Sequence, residues 1–268
     1  AACGARAATD ATALEVARPP RPARCVALGP GDDVQARLDA AVDGDALCLA
    51  PGRYPGPLTV RRAVTVWGPA TAVIASSGTG TTVHLEGARA RLHGVTVDGS
   101  GGRYDKLDGA VRVAADEVEV IGVTIERAVY GLLVERARRV KIRGNHVRGG
   151  TDPAVGLRGD TIRLWETYDS DVVGNWVEDG RDMVVWYSRG NRIVGNRIER
   201  GRYGTHFMYS DHSDVERNRY LDVTVGVFVM YSRDVRLSDN VIANAAGAAG
   251  LAIGLKDSGN VEVRRNLL

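Results

Sequence analysis

One pattern of strands and turns occurs four times between Thr161 and Asn240: TIRLWETYDSDVVGN (161–175), DMVVWYSRGNRIVGN (182–196), GTHFMYSDHSDVERN (204–218) and GVFVMYSRDVRLSDN (226–240). Each copy contains two short apolar runs and a closing asparagine, and these asparagines are 21, 22 and 22 residues apart. A period of ~20–30 residues built from strands and turns is typical of a β-solenoid. The sequence therefore predicts an all-β protein, a right-handed parallel β-helix, in which residues one period apart stack at ~4.8 Å.

Weaker copies of the pattern precede and follow these four, and an insertion at GGTDPAVGLRG (149–159) lengthens one of them. The closing asparagine recurs throughout, at Asn145, Asn175, Asn196, Asn218, Asn240 and Asn266. Asparagines at the same bend of each coil can pair their amides with the coils above and below. We therefore predict an inward asparagine ladder with a structural role.

The first part of the chain has a different character. Residues 1–23 are rich in Ala, Arg and Pro without apolar periodicity, which predicts a flexible leader before a β-helix domain at 24–268. A short helix near residues 33–42 is predicted to cover the first coil, with Asp32 or Asp33 as its N-cap. Its apolar face would comprise Val34, Leu38, Ala41 and Val42. The final NLL stops within a repeat, which predicts truncated C-terminal coils or a surface that covers this end.

Charge and cysteine content bear on the compartment. The formal net charge is only +2, which argues against nucleic acid as a partner, and no apolar run approaches the ~20 residues of a membrane span. Cys25 and Cys48 lie in apolar stretches that can pair as neighbouring strands, which predicts a disulfide and an oxidising compartment, although both also suit a core. Cys3, in AACG, resembles the end of a bacterial lipoprotein cleavage box and predicts a lipid anchor.

Alternation within the strands separates an inward from an outward set. The inward set contains Thr205 and Phe207 in one copy, and the matching positions in the other copies are apolar: Ile162, Leu164, Met183, Val185, Val227 and Val229. The outward positions form two columns: Arg163, Val184, His206 and Phe228, and then Trp165, Trp186, Met208 and Met230. Tyr187, Tyr209 and Tyr231 follow at the bend. An exposed column of Trp and Met is costly as bare surface and predicts a binding site.

The sharper hypothesis is a metal site. His206 and Met208 project from one face of a strand, and Met230 lies one coil away. Imidazole and thioether ligands suit Cu(I), and Trp186 can lie over the ion with Trp165 further along. Two alternatives stay open: the 149–159 insertion covers this column, or the alternation inverts locally and the column is core.

Several stretches resemble the NosD family, periplasmic β-helix proteins of nitrous oxide reductase maturation. They are RGDTIRLWETYDS, RDMVVWYSRGN, GRYGTHFMYSD, GVFVMYSRD, DALCLAPGRYPGPLTV and KLDGAV, and the resemblance runs from about residue 24 to the end. It implies a copper-handling accessory protein whose partners are ABC-type transporter subunits, a copper chaperone and nitrous oxide reductase. His206, Met208 and Met230 lie on the matching motif positions.

A second functional class is a carbohydrate-active β-helix enzyme, a lyase, hydrolase or epimerase with clustered carboxylates. Its best local candidate is the loop that contains Asp98, Asp105, Lys106 and Asp108, which can bind an ion or do acid–base chemistry, or can simply form a turn. A third functional class is a solenoid that only provides an interaction surface. The excess of Met, Trp and Tyr over acids on the outward face favours the non-enzymatic accessory protein.

Overall fold

The computed structural model describes residues 14–150, 152–247 and 249–268. Each coil passes through three parallel sheets in turn, and successive coils pair strand on strand within each sheet. The prediction of an all-β parallel β-helix is therefore confirmed. The chain breaks into short strands because a glycine, or another residue with positive φ, stands at bend after bend between apolar runs.

The strands are numbered in chain order. Sheet A contains β1 (Val26–Leu28), β2 (Ala46–Leu49), β5 (Thr65–Trp67), β8 (Arg91–His93), β11 (Glu119–Ile121), β14 (Lys141–Arg143), β17 (Asp171–Val173), β20 (Arg192–Val194), β23 (Asp214–Glu216), β26 (Arg236–Ser238) and β29 (Glu262–Arg264). Sheet B contains β3 (Gly52–Pro55), β6 (Ala72–Ala75), β9 (Thr96–Asp98), β12 (Thr124–Glu126), β15 (His146–Arg148), β18 (Trp176–Glu178), β21 (Arg197–Glu199), β24 (Arg219–Leu221) and β27 (Val241–Ala243). Sheet C contains β4 (Leu58–Val60), β7 (Val83–Leu85), β10 (Gly109–Val113), β13 (Tyr130–Glu135), β16 (Ile162–Trp165), β19 (Asp182–Trp186), β22 (Tyr203–Met208), β25 (Val225–Met230) and β28 (Leu251–Lys256).

The core runs along the axis of the solenoid and consists mainly of Val, Ile and Leu. The predicted inward positions of sheet C lie in it, since Met183, Val185, Phe207 and Val227 are at most 1% exposed. The alternation therefore does not invert, and the opposite positions face outward.

The asparagine ladder forms as predicted. Each Nδ2 donates to the Oδ1 of the next asparagine, without a break from Asn145 to Asn266. Asn196 uses its whole amide: its Oδ1 accepts from the backbone N–H and Nδ2 of Asn175, and its Nδ2 donates to Asn218 and to the carbonyl of Val172. These buried groups would otherwise be unpaired, so the ladder fixes the register of neighbouring coils.

The predicted helix covers the first coil. It is α1 (Val34–Ala40), and the Asp33 carboxylate caps it by accepting from the N–H of Ala36 at 2.9 Å. Val34 and Leu38 are buried as predicted, but Val42 is 61% exposed because the helix ends before it. Two 3-10 helices lie in loops, at Tyr104–Lys106 and Val155–Leu157. No helix in the described ranges has the length and apolar character needed to cross a bilayer.

Residues 14–19 lie in extended form across the bends that join sheet A to sheet B. The N–H of Leu14 donates to the carbonyl of Gly195 at 2.7 Å, and the indole N–H of Trp67 donates to the carbonyl of Pro19 at 3.0 Å. Val16 packs between these two points. We call residues 14–19 the strap. Residues 1–13, which include Cys3, lie outside the described part of the chain, and the boundary at residue 24 stays a prediction.

The strap requires glycine beneath it. Gly144, Gly174 and Gly195 occupy the same bend in three coils, and a Cβ on any of them would meet Leu14 or Val16 within 2.8 Å. The next coils hold larger residues at this bend with the same positive φ, namely Arg217 and Asp239. The glycine column thus coincides with the path of the strap.

A first prediction tests the ladder. Asn196→Asp replaces two buried donors by a carboxylate that faces two acceptors, and we expect a loss of at least about 3 kcal/mol in the free energy of unfolding. The isosteric control is Asn244→Asp, at an exposed bend residue whose amide meets only Asp222. Urea unfolding followed by circular dichroism measures both variants. Equal midpoint shifts would contradict a structural role for the ladder.

A second prediction tests the strap. Gly195→Arg keeps the backbone conformation that Arg217 adopts one coil later, but its side chain occupies the space of Leu14. We expect the amide of Leu14 to lose its protection from hydrogen exchange while the sheets keep theirs. Arg217→Gly, beyond the strap, is the control and should leave Leu14 protected. Unchanged exchange at Leu14 in Gly195→Arg would show that the strap does not occupy the column.

Candidate metal-binding site

The outer face of sheet C carries the predicted columns in exact register. Trp165 pairs with Trp186, Trp186 with Met208, and Met208 with Met230. All four side chains are half-buried. His206 lies two residues before Met208 on the same face of β22, because successive side chains in a strand alternate between faces.

His206 and Met230 are already in contact. The Nε2 atom of His206 is 3.3 Å from the Sδ atom of Met230. With typical first-row bond lengths of ~2.0 Å to nitrogen and ~2.3 Å to sulfur, two ligands on one tetrahedral ion lie ~3.5 Å apart. The spacing of these two atoms therefore fits a shared ion. Met208 is the register neighbour of Met230, ~4.8 Å away at the backbone, and its flexible side chain can supply a third ligand.

His206 lies deeper than the alternation of the sequence predicts. It is only 7% exposed, not part of an exposed patch. Tyr203 and Trp186 pack edge-on against its ring at centroid distances of 4.7 and 5.5 Å, and Phe228 lies 6.2 Å away. The imidazole is thus enclosed by aromatic rings, and the two methionine side chains form the more open side of the site.

The 149–159 insertion does not explain this burial. In its described part, the Arg158 guanidinium donates to the carbonyls of Asp152 and Arg200, and Gly149 lies against Gly180. These contacts are at the bend between sheets B and C. None of these contacts involves Met208 or Met230.

A buried carboxylate lies behind His206. Asp182 begins β19, has no exposed side-chain surface, and receives both the Nε and Nη2 donors of Arg202. Its Oδ2 atom is 3.8 Å from Nδ1 of His206. Burial alone would raise the pKa of Asp182, but His206 and the guanidiniums of Arg202 and Arg181 lower it below the ordinary value. Asp182 is therefore an anion at neutral pH.

A second buried acid lies near the tryptophans. Asp160 is fully buried and bonds to Arg181 at 2.8 Å. Burial raises the pKa of Asp160 although Arg181 attracts its charge. The guanidinium of Arg163 lies 3.6 Å from Asp160 and covers the rings of Trp165 and Trp186 at 4.9 and 5.2 Å.

These contacts set the charge around the site. Two carboxylates, Asp160 and Asp182, stand among three guanidiniums, those of Arg163, Arg181 and Arg202, which leaves at least one net positive charge. One face of Trp186 is occupied by Arg163, while His206 meets the ring from another side. Trp186 can still border an ion on the histidine side.

Tyrosines form the rim at the bend that follows sheet C. The rings of Tyr187 and Tyr209 stack at 5.2 Å, and those of Tyr209 and Tyr231 at 5.0 Å. Tyr187 and Tyr209 are 42% and 48% exposed. Stacked rings at this spacing follow directly from the register of β19, β22 and β25.

The alternative acidic loop does not converge on one point. Asp98 bonds to Arg53 and Arg127, Asp105 to Arg103, and Asp108 to the backbone N–H of Arg103. Lys106 lies in the 3-10 helix of this loop. Across the described ranges, no three His, Cys, Asp or Glu side chains are grouped so as to hold a metal ion. The pairing of these acids with arginine side chains and a backbone N–H is what a turn requires.

The structure joins Cys25 and Cys48 by a disulfide, with their Cα atoms 5.8 Å apart. Cys48 lies in β2 and pairs in register with Ala27 of β1. Cys25 directly precedes β1, two residues before Ala27. A bond at this position ties the first strand of sheet A to the next coil. Disulfides of this kind persist in oxidising compartments.

Sequence reasoning missed Asp182, Arg202 and Tyr203. Asp182 is the first residue of the otherwise apolar strand β19, and it pairs with Tyr203 in the next coil. An acid at the start of a core strand was the available signal. Its proximity to His206 depends on the conformations of both side chains, and the repeat alone does not predict these.

Comparison with known proteins finds one matching family model and one curated relative. Residues 144–268 match the family model described as "Periplasmic copper-binding protein (NosD)". The chain is also similar to the "Probable ABC transporter binding protein NosD" of Stutzerimonas stutzeri, with 27% identity over 136 residues, which is 50% of this chain and 31% of the relative. The chain thus spans about a third of the length of this curated relative.

Several solved structures with a similar fold are carbohydrate-active enzymes. The A-module of mannuronan C-5 epimerase AlgE6 from Azotobacter vinelandii is 13% identical, with a TM-score of 0.58 over 88% of this chain and 91% of that chain. DFA-IIIase from Arthrobacter chlorophenolicus A6 in complex with GF2 is 12% identical, with a TM-score of 0.60 over 86% of this chain and 73% of that chain. At this identity the likeness concerns the fold alone.

The sequence resemblance runs from about residue 24 to the end, but the family model matches only residues 144–268. This matched part contains all three candidate ligands. The family model and the curated relative together show that residues 144–268, just under half of the chain, are similar to the NosD family.

Proposed function

We propose that this protein binds Cu(I) through His206, Met208 and Met230 and passes the ion to a partner, without catalysing a reaction itself. The observation that carries the proposal is the 3.3 Å contact between Nε2 of His206 and Sδ of Met230, with Met208 as the register neighbour of that sulfur. A set of one imidazole and two thioethers is soft and neutral, which suits Cu(I) and is poor for Ca²⁺ or Mg²⁺.

Local charge supports a monovalent ion. The net positive charge of the Asp160, Asp182, Arg163, Arg181 and Arg202 cluster opposes a divalent cation more strongly than Cu(I). Neutral ligands give no compensating negative charge. Discrimination against Zn²⁺ therefore comes both from ligand softness and from electrostatics.

Incomplete enclosure supports transfer rather than storage. His206 is buried, but Met208 and Met230 are half-buried and open to the outer face beside the stacked tyrosines. A three-ligand site that opens on one side can accept a fourth ligand from another protein. Ligand exchange then moves the ion without releasing it into solvent.

The similarity of residues 144–268 to the NosD family supports the cellular setting of this proposal. The partners we propose are ABC-type transporter subunits, a copper chaperone that delivers the ion and nitrous oxide reductase that receives it. A periplasmic location suits the Cys25–Cys48 disulfide. A lipid anchor at Cys3, outside the described residues, stays a prediction.

The ligand set can be tested by a Cu(I) titration against a competing chelator under anaerobic conditions. We expect Met208→Leu/Met230→Leu to weaken Cu(I) binding by at least about tenfold, because each lost thioether removes a metal bond. The chain provides a matched control, since its remaining methionine, Met183, is 1% exposed in the core. Met183→Leu should bind Cu(I) like the wild type. Equal affinities for the double variant and the wild type would refute the ligand set.

A second titration tests selectivity. We expect equimolar Zn²⁺ to leave Cu(I) bound to the wild-type protein, because thioethers and the positive surroundings both disfavour a divalent ion. Arg163→Gln, which removes one guanidinium at the rim, should raise the affinity for Zn²⁺ relative to that for Cu(I). Displacement of Cu(I) by equimolar Zn²⁺ in the wild type would contradict the proposed selectivity.

A further inference from the structure

His206 has two ring nitrogens in different surroundings. Nε2 faces the sulfur of Met230 at 3.3 Å. Nδ1 is buried and has no hydrogen-bond partner among the described residues, and its neighbouring charged oxygen is Oδ2 of Asp182 at 3.8 Å. A neutral imidazole carries one proton, so the two nitrogens cannot both be acceptors and cannot both be donors.

Asp182 is held rigidly in this place. Arg202 binds its carboxylate with two donors, and the backbone N–H of Tyr203 donates to its Oδ1 at 3.2 Å. Asp182 and Tyr203 are register partners in β19 and β22, so the backbone also fixes the distance between them. His206 follows Tyr203 by three residues in the same strand.

The geometry decides between the two tautomers. A proton on Nε2 would point at the Met230 sulfur and leave the Nδ1 lone pair facing a buried carboxylate, which is repulsive at low dielectric. A proton on Nδ1 points at Asp182 and leaves the Nε2 lone pair facing the methionines. A shift of about 1 Å in the ring brings Nδ1 to ordinary hydrogen-bond distance from Asp182.

We propose that Asp182 is a positioning residue, which holds His206 in the tautomer with the proton on Nδ1 and thereby aims the Nε2 lone pair at the space shared with Met230 and Met208. This inference rests on the proposed copper site and deepens it. Metal-binding histidines commonly donate their other N–H to a carboxylate in this way, and loss of such a partner costs 10–100-fold in metal affinity. Asp182 itself does not touch the ion.

The chain offers a matched control for this role. Asp98, at the end of β9 in sheet B, is also a buried carboxylate and binds the guanidiniums of Arg53 and Arg127. It belongs neither to the outer face of sheet C nor to the charge cluster around His206. Asp98→Asn therefore removes a buried, arginine-paired charge and leaves the residues around His206 unchanged.

The test is the tautomer of His206, read from the ring nitrogen shifts in long-range ¹⁵N–¹H spectra of the copper-free protein. We expect the proton on Nδ1 in the wild type and in Asp98→Asn, and a loss of this preference in Asp182→Asn. Cu(I) affinity should fall 10–100-fold in Asp182→Asn and stay within about threefold of the wild type in Asp98→Asn.

The outcomes separate this inference from the proposed function. A wild-type His206 with its proton on Nε2 overturns the positioning role, and this measurement needs no variant to fold. An equal change of tautomer in both aspartate variants also overturns it. If the tautomer behaves as expected but Met208→Leu/Met230→Leu binds Cu(I) like the wild type, the copper site fails and the orientation of His206 by Asp182 stands.

Discussion

The asparagine ladder holds each coil in register with the next, and every spatial relation on the outer faces depends on that register. Because side chains alternate, a slip of one residue between β19 and β22 would turn His206 and Met208 toward the core and Phe207 toward solvent. The ladder opposes such a slip, since a shifted asparagine would leave four buried hydrogen bonds unmade on both neighbours. The spacing of the proposed metal site thus depends on backbone pairing and on a polar column on the opposite side of the core.

The bends tolerate variation that leaves the ladder intact. Asn145 and Asn175 still bond at 2.9 Å although an insertion at the bend between sheets B and C makes them 30 residues apart in sequence. The glycine column directly precedes the ladder asparagines at the bend between sheets A and B, and its position is taken by Arg217 and Asp239 beyond the strap. The strands and the ladder asparagines therefore fix the register, while the other bend residues carry the differences between coils.

The repeat predicts which residues stack, and it does so for the core, the ladder and the Trp–Met column. It does not predict how far a side chain reaches. Its spacing places Val42 on the helix face, but the helix ends at Ala40 and Val42 is exposed. Its alternation places His206 at the surface, but Tyr203 and Trp186 pack over its ring. Asp182 begins β19, and Arg202 lies at the bend just before β22. The periodicity of the repeat gives no information about side-chain contacts at these positions.

A buried histidine beside more open methionines imposes an order on metal exchange in the proposed site. Asp182 and the surrounding rings restrict His206, so this ligand contributes little conformational entropy cost on binding. Met208 and Met230 are the flexible ligands, and they lie on the side that a partner can approach. An incoming ligand from another protein therefore replaces a thioether first and the imidazole last. The positive surroundings weaken the hold on the cation at each step, which favours transfer to a site of higher affinity over retention in this one.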